Sequence, residues 1–277
     1  MKKLLLISLL AALGLAAAQV PAVPQELLDP RRRLAGDEVV FCLNEKSLTR
    51  EFDERVAHEI ANVLVLQAEI YPVDYSSFPL FNPEEFYFFL YIDLINNCDA
   101  FIGLNTSVPT YPDWIVPTRA YATVPYALMT GHDVDSLGEL PAGTRIGSLM
   151  NTIGDTAFIA YNLSLPAERQ WMRIPYGQID VMMRHLLDGT IEAALAWEPT
   201  LRDELCRIDE PLSIVSLRPL TDVSVSMGAL LLSQDDFLRA LLDDAIGELI
   251  SNGTMAQLLE EYGLSSGLSP SAEGAQR

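Results

Sequence analysis

Positive charge is scarce in this sequence: 18 Lys and Arg stand against 38 Asp and Glu, a formal net charge of −20 at pH 7. A surface that negative repels phosphate backbones, which argues against nucleic acid as a partner. It suits solubility, or a basic protein partner. Histidine is scarcer still. His58 and His185 fall within helical patterns and His132 in a loop, with no Cys or carboxylate at metal-ligand spacing. The Gly-x-Ser-x-Gly elbow, the phosphate loop and Gly-x-Gly-x-x-Gly are all absent. The acidic pairs Asp235-Asp236 and Asp243-Asp244 sit in helical stretches and read as solvated faces. No catalytic residue, metal or cofactor is expected, and the chain reads as a binder rather than an enzyme.

Long apolar runs are also missing after the N-terminus; none approaches the roughly 20 residues that cross a bilayer. At the N-terminus, Lys2 and Lys3 precede an apolar run from Leu4 to about Leu15, followed by Ala16, Ala17 and Ala18. That order of basic, apolar and small residues is expected of a cleaved secretory signal peptide, residues 1–18. No cysteine follows the cleavage point to carry a lipid. The mature chain is expected in the periplasm or secreted, with no membrane span. Three cysteines, Cys42, Cys98 and Cys206, would allow one disulfide there and leave one thiol over. Cys42 falls within a strand pattern and Cys98 just before another, offset along their length. The expectation is therefore three buried, unpaired cysteines.

Apolar residues make up 49% of the 277, enough for a large core in one large domain or two lobes. Residues 19–36 read as a leader with Pro21, Pro24, Pro30 and the basic run Arg31 to Arg33. Then strands and helices alternate. EVVFCLN (38–44) is strand-like, and 49–67 places Phe52, Val56, Ile60 and Val63 at helical spacing with Thr49 as N-cap. AEIYPVDY (68–75) is a strand, PEEFYFFLYIDLINN (83–97) an apolar helix, and DAFIGLN (99–105) a third strand. A Pro-rich loop spans 108–117, and TVPYALMTG (123–131) is a long strand leaving this first group.

The alternation then restarts. Strands are expected at 143–151, 171–176, 191–199 and 212–217, and helices at 154–163, 178–189 and 199–207. VSVSMGALLLS (223–233) crosses back, and two terminal helices (235–253 and 254–263) close on Gly253 and Gly263. The βαβαβ order implies parallel sheets with helices on both faces. The expected architecture is α/β with two lobes, each a mostly parallel sheet flanked by helices, joined by two crossing strands as a hinge. Residues 37–126 plus 228–264 form lobe 1, 127–227 form lobe 2, and 265–277 are a disordered tail.

Several segments carry a family resemblance. EFDERVAHEIANVL (51–64), DAFIGL (99–104), LLDGTIEAALAWEP (186–199) and ALLDDAIGELISNGTMAQLLEEYG (240–263) resemble, in order, elements of the type II periplasmic solute-binding proteins, family 3-like. That resemblance implies a receptor of the ABC-transporter type, working with a membrane permease. Within it, Cys98-Asp99, IVPTRAYATVPYALMT (115–130) and Ala196-Trp197-Glu198-Pro199 are similar to a solute-binding-like branch associated with quinoprotein (methanol-type) dehydrogenases. That branch implies a periplasmic quinoprotein dehydrogenase as an alternative partner.

The family's amino-acid receptors hold the ligand carboxylate with an Arg after the third strand, whose planar fork matches two oxygens. Residues 105–114 contain no Arg, and Trp197 stands where the amine-binding Asp is expected. The scaffold transfers without the amino-acid anchors, so the ligand class stays open. Ligands of α/β sheets sit beyond the carboxyl ends of strands. Those ends point to Asn44, Asn105, Thr106, Asn151, Thr152, Tyr176, Trp197 and Glu198 as ligand-binding residues. Asn151, Thr152 and Asp155 precede a helix, where free N–H groups could hold an anion or Thr and Asp could simply cap. Arg119 is a carboxylate clamp or a surface ion pair. Trp114 is a cleft wall or a protein contact.

Overall fold

The computed structural model describes residues 37–75, 83–108, 110–221 and 223–264, all within one compact unit, Leu34–Arg277. The expected signal peptide (1–18), leader (19–36) and tail (265–277) lie outside the described residues. None of the described helices is long and apolar enough to cross a membrane.

The first lobe opens with β1 (Glu38–Asn44), α1 (Arg50–Val63), β2 (Gln67–Val73), α2 (Pro83–Asn96) and β3 (Ala100–Asn105). β1 pairs in parallel with both β2 and β3. α1 buries Phe52, Val56, Ala57, Ile60 and Ala61, the stripe that its 3.6-residue periodicity requires. It stops four residues short of the pattern's end. Val65 takes φ 57°, and the Leu66 N–H reaches back to the Ala61 carbonyl at 2.9 Å, closing the last turn. Thr49 occupies the N-cap position, but its hydroxyl donates to Asp53 instead of accepting from the helix amides.

The cysteine expectation is overturned. Cys42 and Cys98 form a disulfide with Cα atoms 5.5 Å apart, and Cys206 is free and exposed. The register places Cys42 opposite Phe101, so a Cys98 continuing the line of β3 would be out of reach. Instead Cys98 sits in the turn just after α2, its N–H bonded to the Asp93 carbonyl at 3.1 Å. The turn folds it back over the sheet onto β1.

The Pro-rich loop contains a strand, β4 (Ile115–Pro117), paired antiparallel with the far end of the second crossing strand. Two prolines nearby and a length of three residues hide it from any periodicity argument. β5 (Ala122–Thr130) then leaves the first lobe. In the second lobe come β6 (Arg145–Leu149), α3 (Ile153–Ser164), β7 (Met172–Tyr176), α4 (Ile179–Leu187), β8 (Ala193–Trp197), α5 (Glu198–Leu205) and β9 (Ser213–Ser216). The return strand β10 (Ser224–Leu232) and helices α6 (Asp236–Ser251) and α7 (Thr254–Glu261) complete the chain.

The strands form one hydrogen-bonded path, β2-β1-β3-β10-β5-β8-β6-β7, with β4 added to β10 and β9 to β5. It is parallel at both ends and antiparallel where the chain crosses. β5 belongs to both halves: residues 122–125 pair with β10, and 126–130 pair with β8 and β9. The path is continuous, yet the cores are separate. One draws Phe41, Phe52, Ile102, Leu242 and Leu259 together under α1, α6 and α7. Two more lie on either face of the second lobe, around Phe158 with Leu195 and around Met182 with Leu201. Trp197 and Val225 touch both the first-lobe core and the Phe158 core. The result is the curled, two-lobed α/β architecture that the alternation implies.

Candidate functional site

The register of the crossing strands fixes where the strand ends of the two lobes stand. Met227 of β10 is opposite both Asn105, the last residue of β3, and Ala122 of β5. Trp197, the last residue of β8, is opposite Tyr126 of β5. β3 runs parallel to β5 and β8 antiparallel to it, so their carboxyl ends point at each other. They are separated along β5 by the step from Ala122 to Tyr126, which at about 3.3 Å per residue is about 13 Å.

On the first-lobe side, Asn44 and Asn105 end neighbouring parallel strands. Asn44 Oδ1 accepts the Lys46 N–H at 3.0 Å, and Asn105 Oδ1 accepts the Ser107 N–H at 3.0 Å, so each side chain folds its own turn. Thr106 donates its N–H to the Ser226 carbonyl at 2.8 Å and its hydroxyl to the same oxygen at 3.3 Å. That packing requires Gly228, since a Cβ there would stand 2.4 Å from the Thr106 methyl.

On the second-lobe side, Asn151 takes the left-handed conformation, φ 64°, at the turn into α3. Thr152 is the N-cap, its Oγ1 accepting the Asp155 N–H at 3.1 Å and donating to the Leu149 carbonyl at 2.9 Å. Asp155 is not the cap. Its carboxylate receives Arg173 at 2.6 and 2.8 Å and the Ser148 hydroxyl at 2.6 Å. Burial works to raise its pKa, but Arg173 and Ser148 outweigh that and hold it below the usual range. Trp197 is half-buried, and its Nε1 donates to the Val124 carbonyl at 3.3 Å. Tyr126, beside it, lies on the first turn of α3, where a Cβ on Gly154 would be 2.4 Å from the ring. Burial raises the Tyr126 pKa, eased by the Thr152 hydroxyl and the backbone N–H groups of Ile153 and Gly154.

Asn44, Asn105, Thr106, Asn151, Thr152 and Trp197 therefore stand at strand ends that face one another. Glu198 opens α5 next to them, buried, and accepts Arg202 Nε at 2.9 Å. The other three sequence candidates go elsewhere. Tyr176 is buried in the Met182 core with its hydroxyl 2.8 Å from His185 Nδ1. Trp114 packs edge-on against Tyr91 of α2, ring centres 4.8 Å apart. Arg119 lies along α6, its guanidinium 2.8 Å from where a Gly247 Cβ would be, and its N–H donates to Asp243 at 2.7 Å. β4 carries Trp114 toward the far end of β10, whereas the Arg119 carbonyl stays beside Gly228, next to the Thr106 methyl, while its guanidinium turns to α6.

The sequence reading missed the floor between the lobes. Thr123 and Ser226 pair across the crossing strands directly under Thr106, and their alternation with Val124 and Val225 was the available signal. It also missed a buried carboxyl. Asp53 is fully buried, accepting Tyr121 Oη at 2.6 Å and Thr49 Oγ1 at 2.7 Å. Loss of solvent pushes its pKa up to about 7 despite both hydrogen bonds. A cavity of about 440 Å³ flanks the hinge, lined in part by Tyr126, Glu198 and Val223. Among the described residues, no cluster of His, Cys, Asp and Glu could hold a metal ion.

No family model matches the chain, and no curated protein matches it. Solved structures do. An unliganded, open L-cystine solute receptor of Neisseria gonorrhoeae aligns at TM-score 0.60 and 16% identity, covering 84% of this chain and 95% of the receptor. Substrate-binding domain 2 of Lactococcus lactis GlnP, also open, aligns at 0.61 and 12% identity, covering 84% and 98%. An amino acid ABC transporter substrate-binding protein of Streptococcus pneumoniae bound to L-arginine aligns at 0.51 and 16%, covering 83% and 95%. At such identities the likeness is one of fold: the chain has the two-lobed architecture of these binding proteins.

Proposed function

We propose that this chain is an exported, non-catalytic solute-binding receptor that holds a small molecule between its lobes and presents it to a membrane permease. The observation carrying this reading is the pair of opposed strand ends, about 13 Å apart along β5. A gap of that size suits a small organic molecule, and the hinge strands below it can flex to close it. Lobe 1 is proposed as 37–126 plus 228–264 and lobe 2 as 127–227. The signal-like N-terminus and the disulfide both fit export to an oxidising compartment such as the periplasm.

The ligand we propose is not a standard amino acid. Residues 105–114 supply no Arg for a carboxylate, and Trp197 takes the place of an amine-binding Asp. The facing loops carry Leu48, Met150 and Ile153, each more than 40% exposed, which favours a ligand with an apolar body. The same missing anchors favour a second reading, in which the protein keeps the fold and serves a periplasmic quinoprotein dehydrogenase without transporting anything.

One experiment separates them. The mature chain is screened by thermal shift against amino acids, organic acids and redox cofactors, and hits are followed by small-angle X-ray scattering. A receptor gains about 2.7 kcal/mol at a hundredfold excess of ligand over Kd and contracts on binding. Absence of any shift, with capture of a purified dehydrogenase, overturns the receptor reading in favour of the partner.

A further inference from the structure

The cavity beside the hinge borders the strand-end site through Tyr126 and Glu198, but Asn44, Thr106, Thr152 and Trp197 do not line it. Its volume, about 440 Å³, falls in the range of small-molecule pockets. One wall is apolar, made by Ile214 of β9 and by Leu220 and Val223 on the connection into β10. The charged lining is Glu198, Arg202 and Arg218. Glu198 and Arg202 bond to each other, Nε to Oε1 at 2.9 Å, so their charges offset. Arg218 makes no ion pair among the described residues; its Nε donates to the Ser216 hydroxyl at 3.2 Å. The nearby acid Glu139 already accepts the Ser136 hydroxyl at 2.7 Å and the Asp135 N–H at 3.1 Å. The Ser136 hydroxyl, the Asp135 N–H and, after them, the Arg218 charge lower the Glu139 pKa. Arg218 thus feels that acid without ion-pair contact, and its guanidinium lines a partly apolar cavity.

We propose that this cavity is a second ligand site, one that takes a small aliphatic carboxylic acid and sets the hinge. The carboxylate meets the Arg218 fork, which suits two oxygens, and the hydrocarbon lies against Ile214, Leu220 and Val223. The walls come from both the second lobe and the crossing strands. β9 and α5 belong to the second lobe, whereas Pro125 and Ser224 are paired residues of the crossing strands themselves. Bending those strands changes the shape of the cavity. A molecule that fits it as it stands here favours this arrangement of the lobes over others. Binding at this site is independent of the receptor reading; only its effect on the hinge rests on that reading.

The test is isothermal titration of the mature full-length chain with hexanoate, alongside hexanamide as the neutral match. Hexanoate is expected to bind at least tenfold more tightly than hexanamide. Arg218→Gln, at an exposed side chain, should remove that advantage, while Thr106→Ala at the strand ends should leave it intact. No hexanoate binding into the millimolar range, equal binding of acid and amide, or full affinity in R218Q overturns the site. Scattering with and without hexanoate reads the hinge. If a molecule that contracts the chain does so equally with hexanoate bound through Arg218, the coupling alone is overturned. Failure of every molecule to close the lobes, with hexanoate still held, overturns the receptor reading alone.

Discussion

The indole Nε1 of Trp197 donates to the carbonyl of Val124 at 3.3 Å, tying the end of β8 to the crossing strand β5. One side chain thus rests on the cores of both lobes and forms part of the floor between them. Trp197→Phe keeps most of the packing and removes the hydrogen bond, so its stability loss should be about 1 kcal/mol. Trp197→Ala also removes the ring and should cost about 3 kcal/mol. Urea unfolding of the two variants measures the difference. If the strand ends bind the ligand, both should weaken binding, alanine the more.

Asp53 makes stability depend on pH in an unusual direction. Its folded pKa of about 7 stands above an unfolded value of about 3.9, so the native state holds the extra proton between them. Its contribution is full below about pH 4 and is lost as pH rises through about 7, with a slope of at most about 1.4 kcal/mol per pH unit. Asp53→Asn keeps an acceptor for Tyr121 or Thr49 and should flatten this dependence. Denaturant midpoints from pH 4 to pH 8 for both proteins decide it; equal slopes would refute the buried-proton account.

Closing the 56-residue separation between Cys42 and Cys98 restrains the unfolded chain. Loop-closure entropy for that length gives about 4 kcal/mol. Reduction, or the double change Cys42→Ala with Cys98→Ala, should lower Tm markedly. Cys206→Ser, at an exposed free thiol, should leave Tm nearly unchanged.

The bidentate pair between Arg173 and Asp155 holds β7 to the start of α3. The carboxylate is buried and the guanidinium about a quarter exposed. Arg173→Ala strands a buried charge and should cost about 2–3 kcal/mol, less than for a fully buried pair. Arg207→Ala removes a surface pair with Asp203 and should cost under about 1 kcal/mol. Comparing the two by chemical denaturation isolates the effect of burial.

The alternation of strands and helices was legible because parallel strands buried on both faces are nearly continuous apolar runs, as in AALAW at β8. The crossing strands stood out for the same reason. What stayed hidden was whatever depends on register. β4 is three residues long and acquires meaning only from its pairing with β10. That pairing carries Trp114 away from the strand ends, and Arg119 turns only its side chain away, toward α6. The disulfide depends on a turn that folds Cys98 off the line of its strand. Asp53 looked like any acid near a helix start until Tyr121 and Gly103 closed over it. The strand-end residues Asn44, Asn105, Thr106, Thr152 and Trp197 followed from a rule of topology, so their placement needed no knowledge of side-chain contacts.

The first-lobe core mixes residues from both ends of the polypeptide: Phe41, Phe52 and Ile102 pack with Met227, Leu242 and Leu259. Everything from β6 to β9 is an insertion between those contributions. During synthesis, the opening strands cannot reach their final burial until α6 and α7 have been made. The first-lobe core therefore closes only when nearly the whole polypeptide is available, and a chain cut short before α6 should leave Phe41, Phe52 and Ile102 without their partners.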